Sequence, residues 1–117
     1  MKSATQNIPL ICNMNVFTSV ERENHIATTT QLLQSVQAIH EVTNGFEFIF
    51  PNGTESITKL AEFISNERLC CPFLEFSLRV APNDEPISLT LTGPEGTQEF
   101  LRAEFTEYRS SGDEAFA

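Results

Sequence analysis

Residues 60–80 read Leu60-Ala61-Glu62-Phe63-Ile64-Ser65-Asn66-Glu67-Arg68-Leu69-Cys70-Cys71-Pro72-Phe73-Leu74-Glu75-Phe76-Ser77-Leu78-Arg79-Val80. Two periodicities meet in this stretch. On the early side, Ile57, Leu60, Ala61, Phe63 and Ile64 recur at the three-to-four-residue spacing of a helix with one apolar stripe. From Phe73 onward, Leu74, Phe76, Leu78 and Val80 alternate with Glu75, Ser77 and Arg79, the pattern of a half-buried strand. The change falls at Cys70-Cys71-Pro72. Proline cannot continue a helix and biases the residue before it toward extended backbone, so the spacing predicts a helix over about 55–69, capped by Thr54 or Ser56.

Working back toward the start, Pro51-Asn52-Gly53 is a turn. Before it, Phe46, Phe48 and Phe50 share one face of a strand. Thr43-Asn44-Gly45 separates that strand from another over 36–42, and Asn-Gly between two β-rich segments is a strong hairpin signal. Thr18-Ser19-Val20-Glu21 has the form of a capping box and opens a helix over 19–35. Ile26, Thr29, Leu32, Leu33 and Val36 are its expected buried stripe. Ile8-Pro9-Leu10-Ile11-Cys12 reads as a first strand.

Toward the end of the chain, Pro82-Asn83-Asp84-Glu85-Pro86 is a loop and Ile87, Leu89 and Leu91 alternate with polar residues in a further strand. Gly93-Pro94 stops it. A third helix over about 95–109 would bury Phe100, Leu101, Phe105 and Tyr108. The element order is β-α-β-β-α-β-β-α. Alternating strands with one polar face imply an α+β two-layer sandwich, an antiparallel sheet with helices on one face. The first six elements match a ferredoxin-like core.

The chain has 117 residues, 40% of them hydrophobic and 20% charged, which supports one packed domain over 1–117, with 1–7 and 110–117 loose. The net charge of −9 repels phosphate backbones and anionic lipid, so neither a nucleic acid nor a membrane surface is an expected partner. The first seven residues lack the apolar core of a secretory signal, and the expected location is cytoplasmic. No phosphate loop, His-Glu-x-x-His helix or nucleophile elbow is present, and no catalytic residue can be singled out.

The chemistry-bearing feature is the cysteine set Cys12, Cys70 and Cys71. Three is an odd number for a disulfide framework, and three thiols are expected in a reducing compartment. In a ferredoxin-like sheet the first and fourth strands are antiparallel neighbours, which would bring Cys12 beside Cys70 and Cys71 at one rim. The start of the first helix, with His25, lies at the same rim. Thiolates select soft ions such as monovalent copper, zinc, mercury and trivalent arsenic. Three sulfurs suit a trigonal ion, and His25 could complete a tetrahedral zinc site. Two adjacent side chains on extended backbone point to opposite faces, so one of the pair is expected to join Cys12. Bland alternatives exist for each residue. Buried cysteine is also a small apolar filler, His25 could sit on a solvated helix face, His40 shows no partner, and Glu67 and Arg68 read as a surface ion pair.

Glu67-Arg68-Leu69-Cys70-Cys71-Pro72-Phe73-Leu74, followed by Leu89-Thr90-Leu91-Thr92-Gly93-Pro94-Glu95-Gly96, resembles a group of small bacterial proteins without an assigned activity. They carry a Glu-Arg-x-Cys-Cys-Pro-Phe segment, a Leu-Thr-Gly-Pro-Glu-Gly segment and a Cys-Asn or Cys-Asp pair near the start, here Cys12-Asn13. A Glu-Arg with a later His also recurs, here Glu21-Arg22 and His25. The resemblance spans about residues 8–105 and implies a role for Cys12, Cys70, Cys71 and His25 without implying a mechanism.

The leading expectation is therefore a non-enzymatic protein that binds zinc, another soft metal ion or a metalloid through Cys12, Cys70 and Cys71, with His25 as a fourth ligand or as a donor to the ligands. A thiol redox protein is the alternative. A third is a homodimeric interaction module that uses the uncovered face of the sheet and keeps its cysteines structural.

Overall fold

The computed structural model describes residues 9–106. The α+β reading holds: three helices and a four-stranded antiparallel sheet. In chain order these are α1 (Ser19–Ser35), β1 (Ala38–Val42), β2 (Gly45–Phe50), α2 (Thr54–Cys70), β3 (Glu75–Arg79), β4 (Ile87–Thr92) and α3 (Thr97–Thr106). The expected loose ends and Tyr108 lie outside the described residues.

The sheet order is β1-β2-β4-β3. The described part of the expected first strand, residues 9–12, is not in the sheet. Its slot between β2 and β3 is filled by β4, which pairs with β2 from Phe50↔Ile87 to Gly45↔Thr92 and with β3 from Arg79↔Ser88 to Glu75↔Thr92. The physical reason is visible in the sequences. Ile87–Thr92 offers six residues of clean alternation, whereas Pro9 has no N–H to give a central ladder. The sheet thus resembles a ferredoxin-like one whose central strand comes from after the other three in sequence.

Register puts Phe46, Phe48 and Phe50 opposite Leu91, Leu89 and Ile87 on one face, all buried. Residues of all three helices, among them Thr29, Leu33, Phe63 and Phe105, share an interior space with Phe48, Phe50, Leu89 and Leu91, so the helices cover that face. Phe48 meets Phe105 edge-on at 5.8 Å, and Phe63 meets Phe76 in the same way at 6.5 Å. Each buried phenylalanine contributes about 1.5–3 kcal/mol through area removed from water. The opposite face carries Glu47, Ser77, Arg79, Ser88 and Thr90. His40 has a partner after all: its Nδ1 lies 3.2 Å from Glu47 across the β1–β2 pair.

Local signals work with some changes of cause. The capping box is formed, with Glu21 N–H donating to Thr18 Oγ1 and Thr18 N–H donating to Glu21 Oε1. The hairpin closes with Val42 paired to Gly45, and Asn44 rather than Gly45 takes the positive φ, 59°. Gly45 is required for a different reason: a Cβ there would collide with the Leu91 carbonyl of β4. Gly53, not Thr54 or Ser56, caps α2. Helix α3 is held to the hairpin end by Gln98 Nε2, which donates to the Val42 and Gly45 carbonyls at 3.0 and 3.1 Å.

The buried stripes differ from expectation in the way that matters for function. On α1 the stripe is His25, Thr28, Thr29, Leu32 and Leu33, rotated by one residue so that Ile26 is exposed. On α2 it is Leu60, Phe63, Glu67 and Cys70, with Ile57 and Ala61 outside. Each helix therefore carries an ionisable side chain on its buried face. Helices α1 and α2 pack against one another, and those two side chains meet.

Candidate functional site

Helix α2 ends where Pro72 cannot extend it. Cys71 N–H still donates to Glu67 O at 2.8 Å, and the chain then turns, with Leu74 N–H donating to Cys71 O. A helix end leaves carbonyls without intrahelical partners. The Cys70 carbonyl is taken by Asn13 N–H at 2.7 Å. That bond docks the segment before α1 onto the end of α2. Asn13 also accepts from Asn15 N–H through its side chain and so starts a short 3₁₀ turn over Met14–Val16. Phe17 follows, buried beside His25 at 5.4 Å between ring centres.

The docking brings Cys12 to the vicinal pair by this route and not by sheet pairing. The convergence expected from sequence is present, and one member of the pair joins Cys12. The expectation of three thiols is corrected: Cys12 and Cys71 form a disulfide, with Cα atoms 4.3 Å apart. Cys70 is free and buried. Its sulfur lies 3.6 Å from that of Cys71. The opposed-faces expectation fails because Cys70 closes a helix and Cys71 has φ −123° and ψ 74°, short of a fully extended backbone.

Glu67 is the centre of the site and was missed as such. It is no surface partner of Arg68; it is 3% exposed. Oε1 lies 2.7 Å from His25 Nε2 and accepts from the Cys70 thiol at 3.6 Å. Oε2 lies 3.4 Å from Cys71 Sγ. The available signal was the stripe itself, since extending Leu60 and Phe63 by four and then three residues lands on Glu67 and Cys70. Glu104 of α3 is the other missed residue. Its Oε1 lies 3.6 Å from Cys12 Sγ. Nothing in the local sequence marks it, because α3 meets Cys12 only through the tertiary fold.

His25 is 1% exposed, between Phe17 and Phe63, whose ring is stacked at 5.7 Å. Nε2 is the ring nitrogen that faces Glu67, and Nδ1 is the other. Among the described residues that atom is buried without a hydrogen-bond partner. Buried polar atoms are rarely left so. The Cys70 thiol is pushed up from 9.0 to about 12, by burial first, then by the charge of Glu67 and the hydrogen bond to it, and by the charge of Glu104. Cys70 is thus a hydrogen-bond donor in the free protein and a poor nucleophile.

Two overlapping donor sets result. Cys12, Glu67, Cys71 and Glu104 have ligand atoms within 4.8 Å of one another, and so do His25, Glu67 and Cys70. All four residues expected from sequence fall in these sets, and Glu67 belongs to both. Among the described residues no helix is long and apolar enough to cross a membrane. No protein-family model, curated protein or solved structure matches the chain, so the chemistry of this cluster is read from its geometry.

Proposed function

We propose that the reduced protein binds a soft metal ion or metalloid through the thiolates of Cys12, Cys70 and Cys71, with Glu67 and His25 beside them. The observation that carries this reading is the spacing of donors around Cys71. Its sulfur is bonded to that of Cys12 and stands 3.6 Å from Cys70 Sγ and 3.4 Å from Glu67 Oε2. Ligands at about 2.0–2.3 Å from one tetrahedral zinc stand roughly 3.3–3.8 Å apart. Soft sulfur donors favour the thiophilic ions over magnesium or calcium. A coordinated thiol gives up its proton, so the ion reverses the preference that keeps Cys70 protonated. The motif resemblance names the same cysteines and His25.

A second reading is thiol redox chemistry, and the Cys12–Cys71 disulfide favours it. Reduction would change the same sulfurs that the first reading uses.

Native mass spectrometry of the reduced protein with zinc, mercury(II) or arsenite tests the proposal. One ion per chain is the expected result, lost in the triple variant Cys12→Ser, Cys70→Ser, Cys71→Ser. A triple variant that retains the ion equally well contradicts it.

A further inference from the structure

We infer that the Cys12–Cys71 disulfide is a redox gate on the ion site, opened by a dithiol reductant that attacks Cys12. The inference rests on the soft-ion reading and adds how the site is switched.

Two of the three sulfurs in the donor cluster are covalently joined to each other. A sulfur in a disulfide carries no thiolate charge and is a poor ligand compared with the thiolate. In this state the cluster retains one cysteine able to become a thiolate, Cys70, and that one is buried with Glu67 and His25. A soft ion that needs two or three sulfurs therefore finds its full ligand set only after reduction. The converse also follows: an ion held between Cys12 and Cys71 occupies the sulfurs that would otherwise oxidise.

The direction of opening follows from burial. Thiol–disulfide exchange depends on which sulfur a thiolate can reach. Cys71 is wholly buried, closed in by the end of α2 and the turn that follows it. Cys12 is half-buried, on an irregular segment whose neighbours Ile11 and Asn13 are exposed. The first thiolate of the reductant bonds to Cys12 Sγ, the Cys12–Cys71 bond breaks, and Cys71 leaves as the thiolate. The reductant's second thiolate then attacks its own sulfur in that mixed disulfide and releases Cys12. The reductant ends as a disulfide, two electrons reside on the protein, and the two protons lost by the reductant end on Cys12 and Cys71. Glu104 and Glu67 are placed to accept hydrogen bonds from the two new thiols. Ion binding then displaces protons from the sulfurs.

The full-length protein is prepared in two forms, one air-oxidised and one reduced with dithiothreitol and desalted anaerobically. Each is titrated with cadmium(II), read by native mass spectrometry and by thiolate-to-cadmium charge-transfer absorption. The gate predicts one ion in the reduced form, at least 100-fold weaker binding in the oxidised form, and recovery of binding on re-reduction. Equal binding by both forms overturns the gate and the ligand role of the Cys12 and Cys71 thiolates, and confines the ion to Cys70, Glu67 and His25. Absence of thiolate absorption in both forms overturns the soft-ion reading itself. A separate arm tests the direction: the oxidised protein is incubated with glutathione, quenched in acid and mapped by peptide mass spectrometry. Glutathione on Cys12 with Cys71 free is expected, and glutathione predominantly on Cys71 overturns the direction of attack whatever the metal result.

Discussion

Cys12 and Cys71 stand 59 residues apart in sequence and are joined by a disulfide that ties the segment before α1 to the end of α2. The tie is reinforced by the Asn13 N–H bond to the Cys70 carbonyl, so a backbone contact and a covalent one hold the same junction. Closing a loop of this length restricts the unfolded chain. Cys12→Ser should therefore lower the unfolding free energy of the oxidised protein by about 2–4 kcal/mol in urea titrations. The same substitution should have little effect on the fully reduced protein.

The raised pKa of Cys70 has two consequences. At pH 8 iodoacetamide should label Cys70 in the folded protein far more slowly than in urea, because the folded thiol holds its proton up to about 12. Stability should respond as well. Below pH 9 the thiol is protonated in both states and contributes no pH dependence. Between 9 and about 12 the unfolded chain has released the proton that the folded chain retains. Stability falls with rising pH in that window, by at most about 1.4 kcal/mol per unit. Cys70→Ala, compared with the parent by denaturant unfolding at pH 8 and pH 10.5, should remove that component.

Glu67 and His25 form a buried pair whose members depend on each other. Glu67→Ala removes the acceptor for His25 and for the Cys70 thiol. The expected loss is about 3–5 kcal/mol, since one partner of a buried pair stays behind. The double variant His25→Phe, Glu67→Met replaces both with apolar side chains and should recover most of that loss. Denaturant unfolding of His25→Phe, Glu67→Met and the double closes the cycle. Additive losses would show that the pair is not coupled.

Gly45 gives a prediction remote from the site. Gly45→Ala places a methyl against the Leu91 carbonyl, where only backbone movement can relieve it. A cost of about 2–4 kcal/mol is expected by thermal or denaturant unfolding, well above a propensity change alone.

Much of the architecture was readable because its signals are local. Thr18 and Glu21 cap α1 with adjacent atoms, and Asn44-Gly45 closes a hairpin between residues already side by side. The competition between Ile8–Cys12 and Ile87–Thr92 for the central slot is long-range, and short apolar runs do not reveal who wins it. At the site, the cysteines announced themselves by type. His25 and Glu67 did not, because polar residues on a buried stripe look like surface residues until a second helix supplies the partner. Stripe spacing alone could have placed both. Glu104 depends on how α3 crosses the start of the chain, and the disulfide depends on a docking that no local pattern encodes.

The soft-ion proposal is tested most directly by X-ray absorption at the zinc edge on the reduced, zinc-loaded protein, which reads the identity of the coordinating atoms. Coordination dominated by sulfur at about 2.3 Å is expected, with a lighter oxygen or nitrogen contribution at about 2.0–2.1 Å. A shell of oxygen and nitrogen alone, or zinc that washes away on desalting, would contradict it.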